Sequence, residues 1–286
     1  MAKKLVRFDW AIKKLLRHKA NFSILEGFLS ELLKFDVTIV DVLEGEGNQE
    51  NALDKYNRVD VLVKSAEGEL MLVEVQNESQ VDYFQRMIYG VSKLISEYIQ
   101  QGEPYSQVKK VFSINIVYFE LGQGSDYVYE YNGQFVGIHN GDVLKPNGSQ
   151  RAAFGIAQVK DLFPQYYVLK VNNFNDVAKD SLDEWIYFLK NSEIQDNFQA
   201  RGLQEAAEKL KEDTLSPEEQ RAYRQYQENR RIERSEIETA LQEGEEKGIQ
   251  KVALNALRQG QSDAVIRELT GLSQAQLDAL KKTLQG

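Results

Sequence analysis

KYNRVDVLVKSAEGELMLVEVQ (Lys55–Gln76) holds two runs rich in valine and leucine around a short break, and each run carries a carboxylate where an apolar residue would serve a sheet core as well. Arg58–Lys64 and Glu69–Gln76 have the composition of strands, and Ser65–Gly68 supplies the turn. A three-residue loop, Ala66-Glu67-Gly68, puts glycine where a type I turn with a bulge needs a left-handed residue. A hairpin folded about Glu67 sets Ser65 opposite Glu69 and Asp60 opposite Glu74. Side chains alternate along a strand, so Glu74 and Gln76 share one face. Directly opposed residues have Cβ atoms about 5 Å apart, and like charges there repel. A divalent cation would offset the repulsion, since Mg²⁺ binds through one or two carboxylates and water. An acidic pair on a solvated sheet face accounts for the same spacing without any function.

The chain has 286 residues, enough for one large domain or two modest ones. It contains no apolar run of membrane length, and its first twenty residues are charged throughout, unlike a signal peptide. With no cysteine there is no disulfide framework, zinc–thiolate site or thiol nucleophile, and two histidines, His18 and His139, make His-ligated metal or Ser-His chemistry a poor fit. A cytoplasmic protein is the simplest expectation. The net charge of −9 argues against unspecific nucleic-acid binding, but its distribution is uneven. Lys3, Lys4, Arg7, Lys13, Lys14, Arg17 and Lys19 crowd the start against the single acid Asp9. On a helix, Lys13 and Arg17 share a side, which suits a phosphate-facing patch and equally a solvated helix face.

Helical periodicity is expected over Asp9–Arg17, Phe22–Lys34 and Ser79–Gln101, the last with Phe84, Met87, Ile88, Val91, Leu94, Ile95 and Tyr98 inward and Gly102-Glu103-Pro104 as its stop. Val37–Leu43 reads as a first strand, Gly45–Asn51 as a polar loop, and Lys110–Glu120 (KVFSINIVYFE) as a strand buried on both faces. Asn132-Gly133 predicts a hairpin joining Tyr127–Tyr131 to Gln134–Ile138. Tyr166–Val171 is a further strand, and Asp176–Lys190 a helix burying Leu182, Trp185, Ile186 and Leu189. From Arg201 to Gln250 charges of both signs dominate, as in an exposed helical arm, with Pro217 starting a helix after Ser216. The final stretch reads as two short helices around Gly271, capped by Ser262 and Ser273. Arg267 stands where a helix-turn-helix usually wants a small residue, so packing or homo-oligomerisation through these helices is the better expectation.

Helix, strand, hairpin, helix and buried strand, with Asp60 on one strand and Glu74-Val75-Gln76 on the next, is similar to the PD-(D/E)XK nuclease pattern, with Gln76 in the lysine position. Gln85-Arg86-Met87-Ile88-Tyr89 also resembles the Gln-x-x-x-Tyr motif that some members hold beside the site. More closely, FDWAIKKLL, RVDVLV, LVEVQ, YFQRMIYGVSKL, YIQQGEPY, LDEWIYFLKN and EKGIQKVALNALRQG resemble segments of the Rpn family of recombination-promoting nucleases and transposases. The resemblance implies an α/β, restriction-endonuclease-like mixed sheet core over residues 1–175, flanked by helices, and a helical C-terminal extension over 176–286. It implies a Mg²⁺- or Mn²⁺-dependent DNA endonuclease linked to recombination or transposition. Asp60, Glu74 and the Val75 carbonyl would hold the metal, Gln76, Gln85 and Tyr89 would complete the catalytic set, and Asp9 would approach from the first helix. For Asp9, a favourable charge at a helix N-terminus is an equal alternative, and for Gln85 and Tyr89 an ordinary helix boundary. Gln76 departs from lysine, since an amide carries no charge and cannot act as a base at neutral pH. Help from another cation such as Lys64 or Arg86, or a non-catalytic DNA-binding or interaction protein on the same fold, would follow from it.

Overall fold

The computed structural model describes residues 5–43, 60–98 and 104–283. The expectations for Lys3 and Lys4, the Gly45–Asn51 loop, Arg58 and Val59 at the start of the hairpin, and Gly102-Glu103 lie outside them. The chain forms two compact units, Met1–Ser216 and Pro217–Gly286.

In the first unit, helices α1 (Phe8–Lys14) and α2 (Phe22–Leu33) precede strands β1 (Ile39–Leu43), β2 (Val61–Ser65) and β3 (Leu70–Gln76). Helix α3 (Tyr83–Tyr98) crosses to β4 (Val111–Val117), followed by β5 (Val128–Tyr131), α4 (Gly148–Phe154), β6 (Gln165–Lys170), α5 (Ser181–Asn191) and α6 (Leu203–Lys209). The described strands form one mixed sheet in the order β1-β2-β3-β4-β6-β5. β1, β2 and β3 are antiparallel neighbours, β3, β4 and β6 are parallel, and β5 returns antiparallel on β6. This is the restriction-endonuclease-like α/β architecture.

Both sheet faces are covered. Leu62, Leu70, Leu72 and Val111 pack with Val91 and Leu94 of α3. The residues of opposite parity, Val61, Val63, Met71, Val73, Ile114 and Ile116, are equally buried, which is why β4 reads as apolar but for Ser113 and Asn115. On that side Phe35, just past α2, meets Phe112 of β4. Edge-to-face contacts join Phe8 of α1, Phe28 of α2 and Trp185 and Phe188 of α5.

Within the first compact unit α5 and α6 pack on α2 and bury Trp185, Leu203 and Ala206. Three expectations are corrected. Helix α1 ends at Lys14 rather than Arg17, so Arg17 sits in the turn beyond it. No second hairpin forms at Asn132-Gly133: β5 pairs with β6, Phe135 packs on Phe163, and Val136 bridges only to Val143. On α3 the buried stripe runs through Tyr83, Met87, Gly90, Val91 and Leu94, whereas Phe84 and Ile88 are exposed. They border a cavity of about 720 Å³ shared with Tyr131, Phe135 and Phe163 of the β5–β6 side.

The second unit comprises α7 (Pro217–Arg258), α8 (Asp263–Thr270) and α9 (Gln274–Thr283). Ser262 caps α8 through the Val265 amide, and Gly271 ends it in the left-handed conformation. Ala253, Ala256, Ile266 and Leu277 form a small core of their own, with Leu257, Leu272 and Leu280 around it. Among the described residues no helix is long and apolar enough to cross a membrane.

The tightest joint of the first unit lies between α2 and the turn before α6. A Cβ on Gly27 would stand 2.2 Å from the Arg201 carbonyl oxygen, which already accepts from the Trp185 indole at 3.1 Å. Gly27→Ala is therefore expected to destabilise the fold by about 1–3 kcal/mol through overpacking, despite alanine's better helix propensity. Chemical denaturation of the two proteins measures it.

Candidate active site

The hairpin has the register read from its turn. Val61 faces Val73 and Lys64 faces Leu70, the Ser65 amide donates to the Glu69 carbonyl at 2.9 Å, and Gly68 has φ +85°. The same register sets Asp60 opposite Glu74, at the end of the sheet away from the turn. Both point to the α3 side, because Leu62 and Leu72 of the same parity pack on that helix.

Asp60 is fixed on three sides. Its Oδ2 accepts from the Val75 amide at 2.7 Å, its Oδ1 pairs with the Lys13 ammonium at 3.2 Å, and its carbonyl accepts two hydrogen bonds from the Arg17 guanidinium, at 3.2 and 2.7 Å. In an extended strand a residue's N–H and C=O point to the same edge, so the Val75 carbonyl is also directed beyond the end of β2. Glu74 is buried. Its Oε2 lies 3.6 Å from Arg86 Nε, too long for a hydrogen bond, and both atoms are buried without a hydrogen-bond partner. Lys13, Lys14, Arg17, Asp60, Glu74, Val75, Gln76 and Arg86 together line a cleft of about 420 Å³.

The electrostatics follow from this burial. Desolvation raises the Asp60 carboxyl above the usual range, against the pull of Lys13 and the Val75 amide. Glu74 rises to about 7: burial dominates, Arg86 opposes it, and the neighbouring Asp60 adds to it. On the adjoining strand Asn115, level with Glu74, is buried and fully engaged, donating to Ser113 and the Tyr167 carbonyl and accepting from the Tyr83 hydroxyl. Burial pushes the Tyr83 hydroxyl well above the ordinary tyrosine range, and the Glu74 charge adds to this.

The structure thus brings Asp60, Glu74, Gln76 and the Val75 backbone into one cleft. Gln76 donates from Nε2 to the Glu78 carbonyl at 3.3 Å. Asp9 does not line the cleft. Its carboxylate is held by the Arg7 guanidinium at 3.2 Å, the Trp10 amide at 2.9 Å and the Asn77 amide at 3.0 Å, so its first role is to tie α1 to the end of β3. Gln85 and Tyr89 lie on the exposed face of α3, outside the cleft lining. Lys64 sits toward the turn, four residues or about 13 Å along the strand from Asp60. Asn115 was missed; the signal was two polar residues, Ser113 and Asn115, at alternate positions of an otherwise apolar strand.

The donor set fits a hard divalent cation. Among the described residues no group of three or more His, Cys, Asp or Glu side chains gathers, so an ion here would rest on two carboxylates, a backbone carbonyl and water, as Mg²⁺ commonly does. The orphaned Glu74 oxygen is the observation that supports the fit.

A mixed sheet that offers two carboxylates and a strand carbonyl at one end of its hairpin is the scaffold of PD-(D/E)XK nucleases. Residues 6–145 match the family described as PD-(D/E)XK nuclease family transposase, which is what this segment of the chain is similar to. No curated protein and no solved structure matches the chain.

The raised carboxyls predict a pH dependence. Glu74 holds its proton more tightly folded than unfolded, so its contribution to stability is complete below the ordinary carboxyl range and is lost as pH rises through about 7. In chelator, unfolding free energy should fall between pH 5 and 8 by up to about 3 kcal/mol more in the wild type than in Glu74→Gln. Urea denaturation across that range checks it; parallel profiles would contradict the burial effect.

Proposed function

We propose that the chain is a metal-dependent DNA endonuclease acting in recombination or transposition. The observation that carries this reading is the acidic pair of half-buried Asp60 and buried Glu74, with an unsatisfied Glu74 oxygen, at the mouth of a cleft edged by cations. Asp60, Glu74 and the Val75 carbonyl would hold Mg²⁺ or Mn²⁺. The bound ion would supply Lewis acidity, lowering the pKa of a bound water and neutralising charge on phosphoryl oxygens. Exposed Lys13, Lys14 and Arg17 would meet the phosphates of a duplex entering the cleft, and the Gln76 amide would hydrogen-bond the attacking water. The match of residues 6–145 to a nuclease-transposase family supports the phosphodiester substrate and the setting.

A second reading, DNA binding without cleavage, is favoured by one feature: Gln76 is neutral and is bonded to the Glu78 carbonyl. Supercoiled plasmid with and without Mg²⁺ separates the two. Asp60→Asn and Glu74→Gln should remain folded, lose the melting-temperature gain that divalent metal gives the wild type, and cleave at least about 10²-fold more slowly. Undiminished cleavage by either variant would remove the site from the reaction.

Gln76→Lys should lower the rate and raise the Mg²⁺ concentration needed for half-maximal cleavage, because an ammonium there competes with the metal for Asp60 and Glu74. A Mg²⁺ titration of steady-state cleavage reads both effects. A faster enzyme with unchanged metal demand would instead identify Gln76 as a weakened lysine.

A further inference from the structure

Among the described residues four cations line the cleft, and three have evident employment or none that is directed. Lys13 is committed to the Asp60 carboxylate and Arg17 to the Asp60 carbonyl, while Lys14 is exposed. Arg86 differs. It springs from the well-packed side of α3, between the buried Tyr83 and Met87, and its Nη1 is held by Gln80 Oε1 at 3.2 Å. Its Nε is aimed at Glu74 Oε2, yet the pair stops at 3.6 Å. A buried N–H donor and a buried carboxylate oxygen therefore face one another with neither satisfied, an arrangement that normally demands a further partner.

The chemistry of the two orphans defines that partner. A carboxylate oxygen calls for a cation and a guanidinium N–H for an anionic oxygen. A metal-bound phosphate supplies both at once. Gln76, in the strand position of the motif, offers no charge of its own.

We propose that Arg86 is the phosphate-binding cation of this site, serving as counter-ion to Glu74 in the metal-free protein and turning to the scissile phosphate in the loaded one. The proposal rests on the nuclease reading and adds to it a named residue for the charge that Gln76 cannot provide. A guanidinium suits the task because its fixed fork of donors can keep Gln80 while it engages a phosphate oxygen.

The test uses the full chain and the variants Arg86→Gln and Arg86→Lys. Mn²⁺ binding is read from the melting-temperature shift at about pH 8.5, above the range in which Glu74 titrates. Single-turnover cleavage of plasmid is then measured at saturating Mn²⁺. Arg86→Gln should bind Mn²⁺ at least as tightly as the wild type, since a competing positive charge is gone, yet cleave about 10²-fold more slowly. Arg86→Lys should keep metal affinity and fall between the two in rate. If Arg86 merely props up Glu74, Arg86→Gln will lose metal binding and cleavage together, which overturns the proposal, as does wild-type cleavage by Arg86→Gln. Should Arg86→Gln not fold, Arg86→Lys decides: unchanged Mn²⁺ affinity with slower cleavage supports the role, and equal cleavage overturns it. Wild-type cleavage no faster than that of Asp60→Asn is a separate result, which would sink the nuclease reading itself.

Discussion

The architecture of the first unit depends on the register of one hairpin. Gly68, at φ +85°, lets a three-residue loop reverse the chain so that Val61 meets Val73 and Asp60 falls opposite Glu74. A slip of one residue in β3 would turn Glu74 to the face where Val73 and Val75 are now buried and send two valines to the cleft. That error would bury a carboxylate among aliphatic side chains, a cost far above that of any loop adjustment. The same register presents Leu70 and Leu72 to α3, so the packing of that helix and the position of Arg86 follow from the turn.

Holding two carboxylates side by side in a partly dehydrated end of the sheet is costly, and the chain meets the cost with charges from elsewhere in the sequence. Lys13 arrives from α1 and Arg86 from α3. Asp9 belongs to the same scheme one step removed: with Arg7 and Asn77 it fastens α1 to the end of β3 and so keeps Lys13 beside Asp60. The raised Glu74 carboxyl shows that compensation is incomplete. Perturbed carboxyls of this kind gather at functional clefts and also arise in structural ion-pair networks.

Much of this was legible in the sequence because it is local. Valine-rich alternation, a glycine at a defined place in the turn and the apolar KVFSINIVYFE run each carry their own physical signal, and β2, β3 and β4 formed accordingly. What escaped was decided by distant partners. Asn132-Gly133 is a strong hairpin signal, yet β6 competes for β5 and Phe135 finds Phe163. Phe84 and Ile88 fit a helical apolar stripe, but the sheet under α3 accepts only the neighbouring strip through Met87, Val91 and Leu94. Charged composition after Arg201 hid the few residues, Leu203, Ala206 and Leu210, that bury α6. At the cleft, the turn spacing set Asp60 opposite Glu74, but which cation stands beside which acid required the tertiary arrangement.

The sheet order carries a consequence for synthesis. Among the described residues β5 is an edge strand whose one neighbour is β6, and β6 also closes the open side of β4. A chain emerging from the ribosome completes β4 at Val117 and reaches Gln165, where β6 begins, roughly fifty residues later. At ~5–20 residues per second, that is an interval of a few seconds. Throughout it β4, buried at every position in the finished sheet, has one row of backbone groups unpaired, the condition under which nascent strands recruit one another. Slower translation through the 118–164 connection would lengthen that exposure, so the sheet order ties the risk of aggregation during synthesis to the pace of elongation.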